Sequence, residues 1–133
     1  MFDEENRRER SNLLTEKIIG CAIEVHKRLG PGLLESAYEE CLCYELSQLN
    51  IRFERQVPLP LTYKDVKLDC GYKIDLVVED LVILELKTVE RFHPIHEAQL
   101  LSYLKLDEKK VGLLINFHVP VLKDGIKRVV NNF

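Results

Sequence analysis

The residues of this chain best suited to chemistry are Asp75, Glu85 and Lys87. The two acids stand ten residues apart with the lysine two beyond the second, and on a strand residues i and i+2 point to one face. Two carboxylates and an amine then converge. Hard cations such as Mg²⁺ take oxygen from one or two carboxylates while keeping several waters, and a nearby lysine can orient one of those waters or help remove its proton. That combination suits hydrolysis of a phosphodiester. The same residues equally describe a solvated strand face on which Lys73 and Lys87 pair across with Asp75 and Glu85, an arrangement of little energy that needs no function.

Further candidates lie on predicted helices. Gln99 and Tyr103 are four apart, hence on one helical face, soon after the segment bearing Glu85 and Lys87. Glutamine can bond a phosphate or a base edge, and tyrosine offers a hydroxyl and a ring for stacking; an ordinary helix rim would look the same. Glu35 and Tyr38 follow Gly30-Pro31-Gly32 and sit on neighbouring turns. Glu35 reads either as an acid favoured by the start of a helix dipole or as a further metal or water ligand. His93 and His96 flank Pro94 with no third ligand in view, and His26 and His118 read as rim residues.

These residues need elements to position them. Apolar residues at 13, 14, 18, 19, 22, 23, 25 and 29 follow the helical period from Asn12 to Leu29, and Gly30-Pro31-Gly32 ends that helix. A second helix, about Leu33 to Leu49, completes a helical hairpin. Between Phe53 and Thr88 the period becomes two, with turn signals at Lys64-Asp65 and Glu79-Asp80, which predicts a three-stranded antiparallel meander. In its last hairpin Ile74, Leu76, Val78, Val82, Leu84 and Leu86 form an apolar face, while the odd positions carry the charge. A three-residue loop at Glu79 to Leu81 places Asp75 and Glu85 directly opposite each other. Pro94 starts a helix through Leu106, and the apolar run Val111 to Phe117 predicts a strand buried on both faces. Strand, helix, strand implies a right-handed parallel crossover. Lys123-Asp124-Gly125 resembles a hairpin turn before a last short strand. The order is α-α-β-β-β-α-β, an α/β protein with a mixed sheet.

The 133 residues support one domain, expected over 12–133, behind a charged and flexible N-terminus at 1–11. No apolar run approaches the length of a membrane span, and Met1 to Arg10 has no apolar stretch of a secretory signal, so a cytoplasmic protein is expected. Nineteen basic against 22 acidic residues give a net charge of -3, which argues against coating nucleic acid by bulk electrostatics. Cys21, Cys41, Cys43 and Cys70 lack zinc-site spacing and read as buried thiols.

Together these motifs resemble a known family. The spacing of Gly32, Glu35 and Tyr38 is similar to that of the GxxExxY proteins, assigned to the PD-(D/E)XK nuclease-like superfamily. Further matches include Glu24-Val25-His26, Gln56-Val57-Pro58, Gly71-Tyr72-Lys73-Ile74-Asp75, Glu85-Leu86-Lys87, Gln99-xxx-Tyr103 and Leu114-Ile115-Asn116-Phe117, spanning about residues 12–130. Asp, Glu-x-Lys and Gln-xxx-Tyr also resemble the RecB-like branch. The resemblance implies a restriction-endonuclease-like α-βββ-α-β core behind the helical hairpin. It implies that Asp75, Glu85, the Leu86 carbonyl and Glu35 hold Mg²⁺ or Mn²⁺, that Lys87 positions the attacking water, and that Gln99, Tyr103 and Tyr38 order the site or contact nucleic acid. Ile74 stands where the superfamily has a proline, and the cysteines do not match the iron-sulfur arrangement of the RecB-like branch, so no cluster is expected. The implied function is metal-dependent hydrolysis of DNA by metal-activated water. The alternative is a catalytically inactive module binding nucleic acid or a protein partner, with self-association also open and no membrane involved.

Overall fold

The computed structural model describes residues 2–133. Helices α1 (Phe2–Leu29) and α2 (Glu35–Gln48) come first, followed by β1 (Phe53–Pro58), β2 (Leu61–Tyr63), β3 (Val66–Leu68), β4 (Lys73–Val78) and β5 (Val82–Lys87). Helix α3 (Pro94–Leu106), β6 (Val111–Asn116), a 3-10 turn at Leu122–Gly125 and β7 (Ile126–Val130) complete the chain. Five strands form one sheet in the order β1-β4-β5-β6-β7. Its pairs are antiparallel except β5 with β6, where α3 makes the parallel crossover.

Both sheet faces are covered. Against α1 and α2 lies one core, with Ile18, Leu42, Leu46, Leu76, Leu84, Leu113 and Phe117. Against α3 lies a second, with Leu59, Ile74, Val77, Ile83, Leu100, Tyr103 and Leu114. Strand β6 is therefore buried along its whole length, as its apolar run requires. Among the described residues no helix is long and apolar enough to cross a membrane.

The structure corrects five readings of the sequence. First, α1 begins at Phe2 rather than Asn12, so the charged segment expected to be flexible is helical. Its acids Asp3, Glu4 and Glu5 suit the positive end of the helix dipole, and Asp3–Arg7 and Glu4–Arg8 fall at the supportive i,i+4 spacing. Arg8 also lies over the Phe133 ring, 5.8 Å from its centroid. Second, the Lys64-Asp65 turn joins β2 and β3 in a small separate hairpin, and the meander of the main sheet is β1-β4-β5. Third, the odd positions of the β4–β5 hairpin are not simply a charged face, because Val77 and Ile83 pack under α3. Fourth, Cys70 is exposed and Cys41 half-buried, while Cys21 and Cys43 are buried thiols. Fifth, His26, expected at the rim, is buried with its Nε2 2.8 Å from the Val119 carbonyl oxygen.

Candidate metal and active site

The loop Glu79 to Leu81 has three residues and no glycine; Glu79 (φ 52°) and Asp80 (φ 55°) take the left-handed backbone themselves. The resulting register pairs Val78 with Val82, Val77 with Ile83 and Leu76 with Leu84. Asp75 and Glu85 come next, and there the regular ladder stops. The Asp75 N–H donates to Glu85 Oε2 at 2.9 Å, and the Leu86 N–H donates to Asp75 Oδ2 at 2.8 Å. Side-chain carboxylates thus take the donors that strand carbonyls would otherwise satisfy. The two acids are locked crosswise at the end of the hairpin, each with its second oxygen outside these backbone bonds.

Burial makes this rung unusual electrostatically. Glu85 is only 4% exposed. Desolvation first, and then the charge of Asp75, push its carboxyl up to about 8. Asp75 is also raised, chiefly by burial and against the opposing Leu86 N–H bond. Lys87 is half-buried and forms no salt bridge among the described residues. Its charge nonetheless favours the ionised forms of both acids and disfavours protonation of His96.

Tyr38 carries the geometry of the helix junction. It is fully buried, stacked on Phe117 with ring centroids 4.4 Å apart. Its hydroxyl donates to the Gly30 carbonyl at 2.6 Å and accepts the Leu33 N–H at 3.1 Å. Gly30 (φ 70°) and Gly32 (φ 103°) supply the left-handed turns that this loop needs. Contact with nucleic acid, one of the two roles expected for Tyr38, is excluded by this burial; the residue orders the turn that launches α2. Glu35 then sits exposed in the first turn of α2, 3.4 Å through Oε2 from the Thr88 hydroxyl, and its charge reaches Glu85.

From the other face, α3 presents Tyr103, 6% exposed and edge-on to Tyr72 at 6.0 Å. Burial raises its phenol, with Glu85 the leading charge acting in the same direction. Gln99, one turn earlier, is half-buried. His96 accepts the His93 N–H on Nδ1 at 3.1 Å, closing the helix start rather than building a ligand set with His93.

Four contributors carried no assigned role in the sequence. Glu39 and Gln56 line, with Glu35, Ser36, Asp75 and Leu86, a cleft of about 450 Å³. Gln56 Nε2 donates to Glu39 Oε1 at 2.8 Å, and Arg55 grips Glu39 Oε2 through Nε and Nη2 at 3.1 and 2.8 Å. Buried Asn116 bonds the Val89 N–H and carbonyl, pinning the loop that follows Lys87. None of these partnerships has a local signature, since each joins residues at least 16 positions apart.

Among the described residues no three His, Cys, Asp or Glu side chains close into a ready metal cage. The acids that line the cleft are Asp75, Glu35 and Glu39, with the Leu86 backbone beside them and the Glu85 carboxylate buried behind Asp75. Such a set fits a hard cation that keeps part of its water shell, and does not fit zinc or an iron-sulfur cluster.

Among curated proteins and among solved structures no match was found. A family model, described as the PD-(D/E)XK nuclease superfamily, matches residues 12–129. This stretch holds the paired acids, the lysine two beyond, and the mixed sheet of antiparallel meander and parallel crossover. The chain belongs to the PD-(D/E)XK nuclease superfamily.

Proposed function

We propose that the chain is a metal-dependent nuclease that hydrolyses DNA phosphodiester bonds. One observation carries this reading: Asp75 and Glu85 sit side by side at the end of the hairpin, Glu85 held by the Asp75 N–H and Asp75 by the Leu86 N–H, with Lys87 two residues on and a cleft beside Asp75. Asp75 Oδ1, Glu85 Oε1, the Leu86 carbonyl and Glu35 are the groups that would hold Mg²⁺ or Mn²⁺. When bound, the ion supplies positive charge to phosphate oxygens and acidifies water. Lys87 orients the attacking water and shares its proton, the buried rung excludes bulk solvent behind it, and Tyr103 and Gln99 fix the α3 wall. We place residues 12–133 in one nuclease unit, within the GxxExxY group and the RecB-like branch, on the spacing of Gly32, Glu35 and Tyr38 and of Gln99 and Tyr103.

A second reading is a nuclease fold retained for binding. It is favoured by the crosswise bonds themselves, which already satisfy one oxygen of each acid. Calorimetric titration of Mn²⁺ into the wild type and Asp75→Asn, at neutral pH and equal salt, separates the two. Binding in the wild type that disappears in the variant is expected; cleavage of DNA should then vanish in Lys87→Ala while Mn²⁺ affinity stays within a few-fold. Absence of Mn²⁺ binding to the folded wild type, with and without DNA, would sink the nuclease reading.

A further inference from the structure

Gln56 is the one residue of β1 whose backbone is left-handed, with φ 49° in the middle of a strand. Side-chained residues meet a steric penalty there, and such strain persists only when the surroundings over-determine it. Its place explains what the strain does. The β1–β4 register pairs Arg55 with Leu76 and Val57 with Ile74, so Gln56 stands opposite Asp75. On either side of this rung the strands change faces. Phe53 packs into the core under α1 and α2, whereas Val57, four residues on, packs into the core under α3. Leu76 and Ile74 divide in the same way. A regular strand would keep each of these pairs on one face.

The side chain has two carboxylates as partners. One amide proton goes to Glu39 Oε1 at 2.8 Å, and the same nitrogen lies 3.5 Å from Asp75 Oδ1, the outer limit of a hydrogen bond. Glu39 is itself held by Arg55, whose Nη2 also reaches Glu40 Oε1 at 2.7 Å. The chain Arg55–Glu39–Gln56 therefore starts on β1, passes through Glu39 of α2 and returns to the Asp75 oxygen that the Leu86 N–H leaves free. An acid in place of Gln56 would repel both carboxylates, and a lysine would bring a competing cation.

We propose that Gln56 is the positioning residue of Asp75: it holds the carboxylate and the β4 backbone in the arrangement that opens the sheet at this rung. The consequence for cation binding rests on the nuclease reading above; the positioning itself does not. The test uses Gln56→Gly, because glycine adopts the left-handed backbone without strain and only the amide is lost. Gln56→Glu, of equal length but with no amide donor, is the second variant. Amide hydrogen exchange is read at Leu86, whose N–H is bound by Asp75, against Leu113 in the core as internal reference. Leu86 should exchange at least ~5-fold faster in both variants, with Leu113 unchanged. Mn²⁺ affinity should fall roughly 10- to 100-fold, the usual cost of losing a group that orients a ligand. Unchanged Leu86 exchange in both variants would overturn the proposal, whatever Mn²⁺ does. Faster exchange in a protein whose wild type binds no Mn²⁺ would support the positioning and remove the metal site instead.

Discussion

At the scale of single residues, the protonation of Glu85 is the most testable property of the site. Its folded carboxyl titrates near 8, above the ordinary 4.5, so the metal-free folded state binds more protons than the unfolded chain between those values. Stability must then fall as pH rises through that window, by at most about 1.4 kcal/mol per pH unit from this one group. Asp75 is raised too and acts with the same sign. Urea midpoints measured in chelator at pH 5.5, 6.5 and 7.5 should decline in the wild type. In Glu85→Gln, which still offers an oxygen to the Asp75 N–H, the decline should be distinctly shallower; equal slopes would contradict the buried, proton-holding state. Asp75, Glu85 and Lys87 were legible in the sequence because strand periodicity and a short loop suffice to align them. Glu39 and Gln56 were not, because their bonds depend on the placement of α2 over β1 and β4, which no local pattern encodes.

Among the elements, the junction of α1 and α2 determines where Glu35 stands. Tyr38→Phe keeps the ring on Phe117 but removes the hydroxyl that joins Gly30 and Leu33. Losing the two part-buried bonds to the Gly30 carbonyl and the Leu33 N–H should cost about 0.5–1.5 kcal/mol, read as a lower denaturant midpoint with an unchanged slope. A loss under 0.5 kcal/mol would show that the glycines alone hold the turn. Helix and strand boundaries in this region followed from periodicity and from Gly30-Pro31-Gly32. The extension of α1 to Phe2 did not, since its first turns carry charge pairs and a contact to Phe133 rather than an apolar stripe. The β2–β3 hairpin was read as part of the meander for a similar reason: alternation marks a strand but not the sheet it joins.

For the molecule as a whole, a net charge of -3 and an acidic cleft oppose a polyanion at the proposed site. Binding of a labelled DNA duplex, followed by fluorescence anisotropy, should therefore be stronger with a divalent cation present than in chelator, and should weaken log-linearly with salt. No binding of the duplex under either condition would point to a protein partner. The sheet order also has a kinetic side. Strands β4 and β5 are joined by three residues, whereas β5 reaches β6 only after α3 and β1 reaches β4 only after the β2–β3 hairpin. Loop closure favours the shortest connection first, so the pairing that brings Asp75 to Glu85 is the most local step in assembling this sheet. The two acids meet while water still surrounds them, and their mutual repulsion grows as the helices close over the rung. The residues proposed to hold the cation thus set an energetic obstacle late in folding, one that a proton on Glu85 relieves.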